Sequence, residues 1–285
     1  MSKVFSIKTN MNIDIEKSIK DLFNDFNNLI IEKCKEEHYF FYYLYGMSTR
    51  GVEITITDQK IEIRNRVLSN RMDLFLTYRF LTYLSNITES NIYDECDEII
   101  SLDLFTDPKE ADKQFMNDVK MVLYSIGEFK QMFEFPGTTR SVYIGNTLFE
   151  KYKDYEKNIE YVSNEIQKLF LKVLYDLPDY REGALFGSDS VDEENKIIKL
   201  KILIKDDDYI ITNYDYIMLE NDNKNDEPIM LNLENIKKIL PKQWELIDEC
   251  TIIAPKLEIN DWVIFKENAK RNNCYQEFTK KTKKK

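Results

Sequence analysis

Apolar and polar residues alternate strictly over Val52-Glu53-Ile54-Thr55-Ile56-Thr57 and again over Lys60-Ile61-Glu62-Ile63-Arg64, with Asp58-Gln59 between the two runs. A period of two on both sides of a short polar break predicts a half-buried β-hairpin with its isoleucines on the core face. Residues 4–9 alternate in the same way and predict a short strand. From Asp14 to Lys35 the period changes: Ile15, Ile19, Leu22, Phe23, Phe26, Leu29 and Ile30 recur at helical intervals, predicting one amphipathic helix. The aromatic run Tyr39–Tyr45 has no alternation and predicts a buried segment. Gly46 and Gly51 then bracket a turn that holds Ser48, Thr49 and Arg50.

Further along, Asp73 to Leu84 is apolar at helical spacing, and Ile99–Leu104 reads as a strand. Thr106-Asp107-Pro108 opens another helix, since proline in a first turn gives up an N–H that has no partner there; it runs to Ile126 and stops near Gly127. After the Pro136-Gly137 turn comes a strand, Ser141–Ile144, and a long helix from Asn146 or Thr147 through Leu174. Residues 176–195 are loop-like. Strands follow over 197–204, 209–212, 214–219 and 229–233, then a short helix over 233–240, a strand over 249–254 and a helix over 261–270. This mixture predicts an α+β fold with mixed or mainly antiparallel sheets and several amphipathic helices. It divides into an N-terminal α+β domain over 1–180, a β-rich domain over 181–279 and a lysine tail over 280–285; one continuous domain is the alternative.

Composition adds a core and a charge. The chain has 285 residues, is 43% hydrophobic and carries 17 Phe and 18 Tyr, enough apolar material to pack. Its 51 acidic residues against 40 cationic ones give a net charge of −11. Five of the last six residues are lysine, and the body without them holds 35 cations against 51 acids, a charge of −16. An acidic body disfavours direct nucleic-acid binding, which needs cations to neutralise phosphates, and suits a basic protein partner. The tail reads as a frayed solubilising end, with a phosphate backbone or anionic lipid as the alternative. Cys34, Cys96, Cys250 and Cys274 lie far apart with no CxxC, the usage of reduced thiols. Neither a signal-peptide apolar run nor a membrane-length stretch is present, so a cytoplasmic protein is predicted.

Candidate chemistry is sparse. His38 is the single histidine, which excludes a His-pair zinc site and makes any Ser-His or Cys-His pair depend on one residue. No phosphate-cradling or nucleophile-elbow glycine motif occurs, and no cofactor is predicted. Pro178-Asp179 followed by Glu194-Asn195-Lys196 fits a Mg²⁺-dependent nuclease of the PD-ExK type, with Asp179 and Glu194 on the metal and Lys196 near the attacking water. Acid-x-Lys triplets occur six times in this Lys- and acid-rich chain, so the pattern is weak. Two acidic clusters, Asp189 with Asp192 and Glu193, and Asp206-Asp207-Asp208, lack the calcium-loop glycine and are candidates for binding a basic partner.

Several runs carry a resemblance: Arg50-Gly51-Val52-Glu53, Thr212-Asn213-Tyr214-Asp215-Tyr216, Glu227-Pro228-Ile229, Ile239-Leu240-Pro241, Ile247–Leu257 and Asp261-Trp262. Together they are similar to uncharacterised bacterial families of about this length, classed as domains of unknown function. The order of elements resembles that of immunity proteins, which neutralise a toxin. The resemblance implies a non-catalytic protein that binds another protein, as an inhibitor or immunity factor. A phage or viral inhibitor that mimics nucleic acid with its carboxylates is a further alternative.

Overall fold

The computed structural model describes residues 2–33, 38–57, 59–101, 108–176, 181–182, 184–186, 190–191, 197–220, 227–281 and 283–284. The chain divides into two units. One holds Met1–Glu128, Glu134–Val142 and Tyr152–Leu177; the other holds Phe129–Phe133, Tyr143–Lys151 and Pro178–Lys285.

In chain order the first elements are β1 (Lys3–Lys8), α1 (Ile15–Leu22), β2 (Leu29–Lys33), β3 (Tyr39–Leu44), β4 (Val52–Ile56), β5 (Lys60–Asn65), α2 (Arg71–Thr88), β6 (Ile92–Tyr93), β7 (Ile99–Ile100) and α3 (Pro108–Phe129). The strands form one sheet in the order β2-β3-β4-β5-β1-β6-β7, with antiparallel pairing. The predicted hairpin is β4–β5. Its register sets Ile54 against Ile63 and Ile56 against Ile61, so the isoleucines share the core face. That face packs with α1 and α2 around Ile7, Ile19, Phe23, Tyr42, Phe80 and Leu84.

The helix predicted over Asp14–Lys35 is two elements. α1 stops at Leu22, a turn follows, and Leu29–Lys33 pairs with β3 as Ile30 against Tyr43 and Ile31 against Tyr42. Three consecutive apolar residues suit either state, and the neighbouring strand decides. The aromatic run is β3 itself, buried at Phe40, Phe41, Tyr42, Tyr43 and Leu44, so both faces are covered and no alternation is needed. α3 begins at Pro108, passes through Gly127 and ends at Phe129; Thr106 and Asp107 lie outside the described residues. β8 (Phe133–Pro136) and β9 (Ser141–Ile144) pair as a small sheet. The long helix predicted from 146 is broken into α4 (Asn146–Lys151), a 3-10 turn at Tyr155–Lys157 and α5 (Ile159–Leu171), which widens into a π turn at Lys172–Asp176. Asp154 and Asn158 flank the 3-10 turn, and both are turn-favouring residues.

The second unit continues with β10 (Arg181–Glu182), β11 (Ala184–Phe186), β12 (Ser190–Val191), β13 (Leu200–Leu203), β14 (Tyr209–Thr212), β15 (Tyr216–Leu219), β16 (Ile229–Leu231), α6 (Leu233–Ile239), β17 (Glu245–Asp248), β18 (Thr251–Ala254), α7 (Ile259–Arg271), α8 (Tyr275–Lys281) and β19 (Lys283–Lys284). Two four-stranded sheets run β10-β14-β18-β17 and β11-β13-β15-β16, and β12 pairs with β19. Parallel pairs, β10 with β14 and β13 with β15, occur among antiparallel ones, so the sheets are mixed. Ile211, Ile217, Ile236, Trp244, Ile252, Trp262 and Phe265 fill a core. β13 and β14 belong to different sheets, so Asp206–Asp208 lies in a connection between two sheets. Among the described residues no helix is long and apolar enough to cross a membrane.

Candidate functional site

Between β3 and β4 the chain makes a turn whose backbone is fastened from three directions. Gly46 takes φ +79°, and nothing lies within 4 Å of the place a Cβ would occupy, so backbone conformation alone asks for glycine there. On one side Tyr45 N donates to Asn28 O at 2.9 Å, and Asn28 Nδ2 donates to Tyr45 O at 2.6 Å. On the other side Asn70 Nδ2 donates to Met47 O at 2.8 Å. Within the turn Met47 N and Ser48 N both donate to Leu44 O, and Leu44 N donates to Ser48 Oγ at 3.1 Å. The two side chains at the tip face outward, Tyr45 at 41% exposure and Met47 at 40%. The Tyr45 ring stands edge-on against Tyr175 at 4.9 Å.

Beneath the tip sits the fully buried carboxylate of Asp73, at the start of α2. Its Oδ2 accepts from Thr49 N at 3.2 Å, Thr49 Oγ1 at 2.9 Å, Arg50 N at 2.9 Å and Asn70 N at 3.0 Å. Its Oδ1 accepts from Gly51 N at 3.0 Å. Burial pushes this carboxyl up from the usual range, while the backbone and hydroxyl donors pull it back. Gly51 has φ +64°, and a Cβ there would meet Phe41 Cζ at 2.5 Å. Across the node Leu68 is held at φ +65°, a left-handed conformation that a branched side chain adopts only under constraint. Thr49 Oγ1 donates to Leu68 O at 2.8 Å, and Leu68 N donates to Asp118 Oδ2 at 2.9 Å. A buried carboxylate and a strained leucine are costly, and here both serve to fix the shape of one surface turn.

Arg50 points inward from the same turn. It is 5% exposed and lies over Phe135 at 5.7 Å, and its Nε and Nη1 have no hydrogen-bond partner among the described residues. Burial first, and then nearby Arg66, lower its pKa to about 10, against the pull of Asp73, Glu53 and Asp118. Arg66 itself pairs with Glu53, which also accepts from Tyr39 OH at 2.6 Å. With every oxygen of Asp73 occupied by donors, the node anchors the turn, and the chemistry it offers outward is a phenol and a thioether.

The sequence candidates fall elsewhere. Asp179, Asp189, Asp192, Glu193, Glu194 and Lys196 lie outside the described residues. The Asp206–Asp208 turn is described, and the fold already uses its carboxylates: Asp208 Oδ1 accepts from Lys256 N at 2.7 Å, Asp207 accepts from Tyr209 OH at 3.3 Å, and Asp206 faces Lys256 Nζ at 3.7 Å. His38 is exposed at the entry to β3, where its carbonyl accepts from Ile56 N at 2.8 Å. Among the described residues no three His, Cys, Asp or Glu side chains gather as metal ligands.

Each unit also holds a cavity. One in the first, about 580 Å³, is lined by Val4, Phe5, Tyr78, Glu95 and Asp118, among others. That of the second, about 670 Å³, is lined by Lys199, Tyr214, Glu249 and Lys281, among others. Two of its charges are paired within the fold, Lys199 with Asn213 at 2.6 Å and Lys281 with Glu277 at 2.5 Å.

Sequence reasoning missed Asn70 and Asp73; the Asn-x-x-Asp spacing ahead of an apolar helical run was the signal for them. Among comparisons, no curated protein and no solved structure matches the chain. A family model described as a domain of unknown function, DUF4299, matches residues 2–226. The match takes in Arg50–Glu53, Asp73 and Thr212–Tyr216, while the resembling runs from Glu227 onward lie beyond it. With most of its length matched, and with the turn and its buried anchor inside the match, the chain belongs to the DUF4299 family.

Proposed function

We propose that this is a non-catalytic, cytoplasmic protein-binding module, acting as an inhibitor or immunity factor, and that Tyr45 and Met47 contact its partner. The observation that carries the reading is the turn at 45–47: two adaptable, exposed side chains on a backbone held by Asn28, Asn70 and the Asp73 node. Tyrosine and methionine are favoured contact residues at protein surfaces, and a turn already rigid when free loses little conformational entropy on binding. The acidic balance of the chain, −11 overall, favours a partner with basic surface. Tyr45 suits such a surface, since its ring face attracts Lys and Arg side chains. Glu32 stands nearby, its Oε1 accepting from Tyr43 OH at 3.4 Å.

The test is affinity capture from a lysate of the native host with the intact chain as bait. A basic protein should be retained, in decreasing amount as salt rises, and lost by a Tyr45→Ala/Met47→Ala variant whose thermal midpoint is unchanged. Retention of nothing, or equal retention by wild type and variant, overturns the proposal.

A further inference from the structure

Strand β2 is one edge of the seven-stranded sheet, and its register with β3 runs from Leu29 to Lys33 without a bulge. The alternation of an antiparallel ladder fixes which of its backbone groups face away from β3. Tyr45 N donates to Asn28 O, so these two form a hydrogen-bonded pair, and by parity so do Ile30 with Tyr43 and Glu32 with Phe41. Leu29, Ile31 and Lys33 alternate with them and turn their N–H and C=O groups outward. Leu29 N donates to Phe26 O at 3.3 Å. Among the described residues nothing accepts from Ile31 N or Lys33 N, and nothing donates to Ile31 O. A row of open groups on a five-residue edge is a template for a further strand, whereas the opposite edge, β7, has only two residues.

The two faces of β2 select the occupant. Leu29 and Ile31 pack against the core beside Leu44 and Tyr42, so a strand laid on this edge continues that face with apolar side chains. On the other face the exposed Glu32 accepts from Tyr43 OH, and the exposed ring of Tyr45 follows along β3. A carboxylate and an open phenol ring favour Lys or Arg there. We infer that the basic partner contributes an extended strand, apolar on one face and cationic on the other, which pairs along β2. The inference rests on the protein-binding reading above and names its mode: main-chain bonds at Ile31 and Lys33 supply affinity, and alternate side chains supply specificity.

Titrating the isotope-labelled full chain with the hexapeptide acetyl-Lys-Val-Lys-Val-Lys-Val-amide tests this, read by amide exchange. Millimolar peptide should protect the Ile31 and Lys33 amides, and an analogue methylated on every backbone nitrogen should protect neither. Ile31→Pro removes one outward N–H and leaves the ladder to β3 intact, so it should weaken binding about tenfold or more. Glu32→Lys should weaken it about two- to fivefold and favour acetyl-Glu-Val-Glu-Val-Glu-Val-amide instead. Circular dichroism checks that each variant is folded, and Glu32→Lys decides alone where Ile31→Pro is not. Unprotected Ile31 and Lys33 amides, binding of the methylated analogue, wild-type binding by Ile31→Pro, or an unchanged preference in Glu32→Lys overturns the inference. In host lysate, capture that Tyr45→Ala/Met47→Ala loses and Ile31→Pro keeps removes this strand pairing and leaves the protein-binding reading standing. Capture of nothing by the wild type removes that reading, while the peptide titration still judges the edge.

Discussion

Asn70 and Asp73 cap each other: Asn70 Oδ1 accepts from Asp73 N at 3.1 Å, and Asp73 Oδ2 accepts from Asn70 N at 3.0 Å. The reciprocal arrangement satisfies orphan donors at the start of α2. Asp73 does more than a capping residue needs, because the same carboxylate accepts from Thr49, Arg50 and Gly51. One side chain thus starts a helix and shapes a turn that precedes it by more than twenty residues. Asn70 has a double role too, with its Oδ1 on the helix and its Nδ2 on Met47 O.

Replacing Asp73 by asparagine keeps the shape and sets an NH₂ group among backbone donors. With the NH₂ in the place of Oδ2, the N–H groups of Thr49, Arg50 and Asn70 lose their acceptor, so the loss should be about 3–5 kcal/mol, comparable to breaking a buried charged pair. Urea unfolding followed by circular dichroism measures it. Amide exchange at Arg50 and Gly51 should accelerate in the same variant. A loss below about 1 kcal/mol would mean the carboxylate is not what holds the turn.

Gly46 and Gly51 should respond unequally to alanine. Both sit at positive φ, so each substitution carries a left-handed cost of about 1–2 kcal/mol. At Gly46 the new methyl enters open space, and nothing further is lost. At Gly51 it meets the Phe41 ring at 2.5 Å and Tyr42 O at 3.2 Å, adding about 1–3 kcal/mol of overpacking. Equal midpoints for the two variants in one denaturation series would contradict this.

What the sequence disclosed was local. The β4–β5 hairpin was legible because its period of two is set within thirteen residues, Val52 to Arg64. α2 was legible for the same reason. The split of the predicted 14–35 helix was not, since Leu29, Ile30 and Ile31 become a strand only beside Tyr42, Tyr43 and Leu44. The place of β1 between β5 and β6 is likewise a matter of long-range pairing. The candidate site was half visible: the glycines at 46 and 51 marked a turn, but nothing in the spacing says that a carboxylate at 73 returns to it. The acidic triplet at 206–208 looked like a free binding surface because its internal partners, Lys256 N and Tyr209 OH, are contributed by the fold.

Arg50 offers the opposite test to Asp73. Its guanidinium is buried and, among the described residues, has two unpartnered nitrogens and no ion pair, so its charge is more a cost than an anchor. Arg50→Met keeps the unbranched stem against Phe135 and removes the buried charge. Stability should change by less than about 1 kcal/mol or rise, as happens when apolar residues replace buried ionic ones. A loss above about 3 kcal/mol would show that the charge is needed to balance Asp73, Glu53 and Asp118.

The second unit carries its own acidic pair, and it makes stability depend on pH. Asp248 is fully buried; its Oδ2 accepts from Gly145 N and its Oδ1 from Glu249 N. Glu249 accepts from Asn146 N at 2.5 Å and Thr147 N at 2.7 Å, where α4 begins, and a Cβ on Gly145 would lie 2.5 Å from its Oε1. Burial, and then the neighbouring Glu249, push Asp248 up to about 7. Burial also opposes ionisation of Glu249, but the hydrogen bonds from Asp248 and Thr147 outweigh it and hold Glu249 near 2. The pair therefore shares one proton over the interval between. From the ordinary carboxyl range up to about 7, the folded chain keeps a proton on Asp248 that the unfolded chain has released, so stability falls as pH rises through that window, by at most about 4 kcal/mol. Glu249 acts in the other direction, its contribution being lost as pH falls toward about 2. Asp248→Asn retains a donor toward Glu249 and cannot ionise, so it should abolish the decline between about pH 5 and pH 7. Both tryptophans, Trp244 and Trp262, lie in this unit and report its unfolding in urea. The one histidine, His38, lies in the other, so no imidazole of the second unit contributes to the same window. Identical slopes of urea midpoint against pH for wild type and Asp248→Asn would show that this pair does not carry the proton.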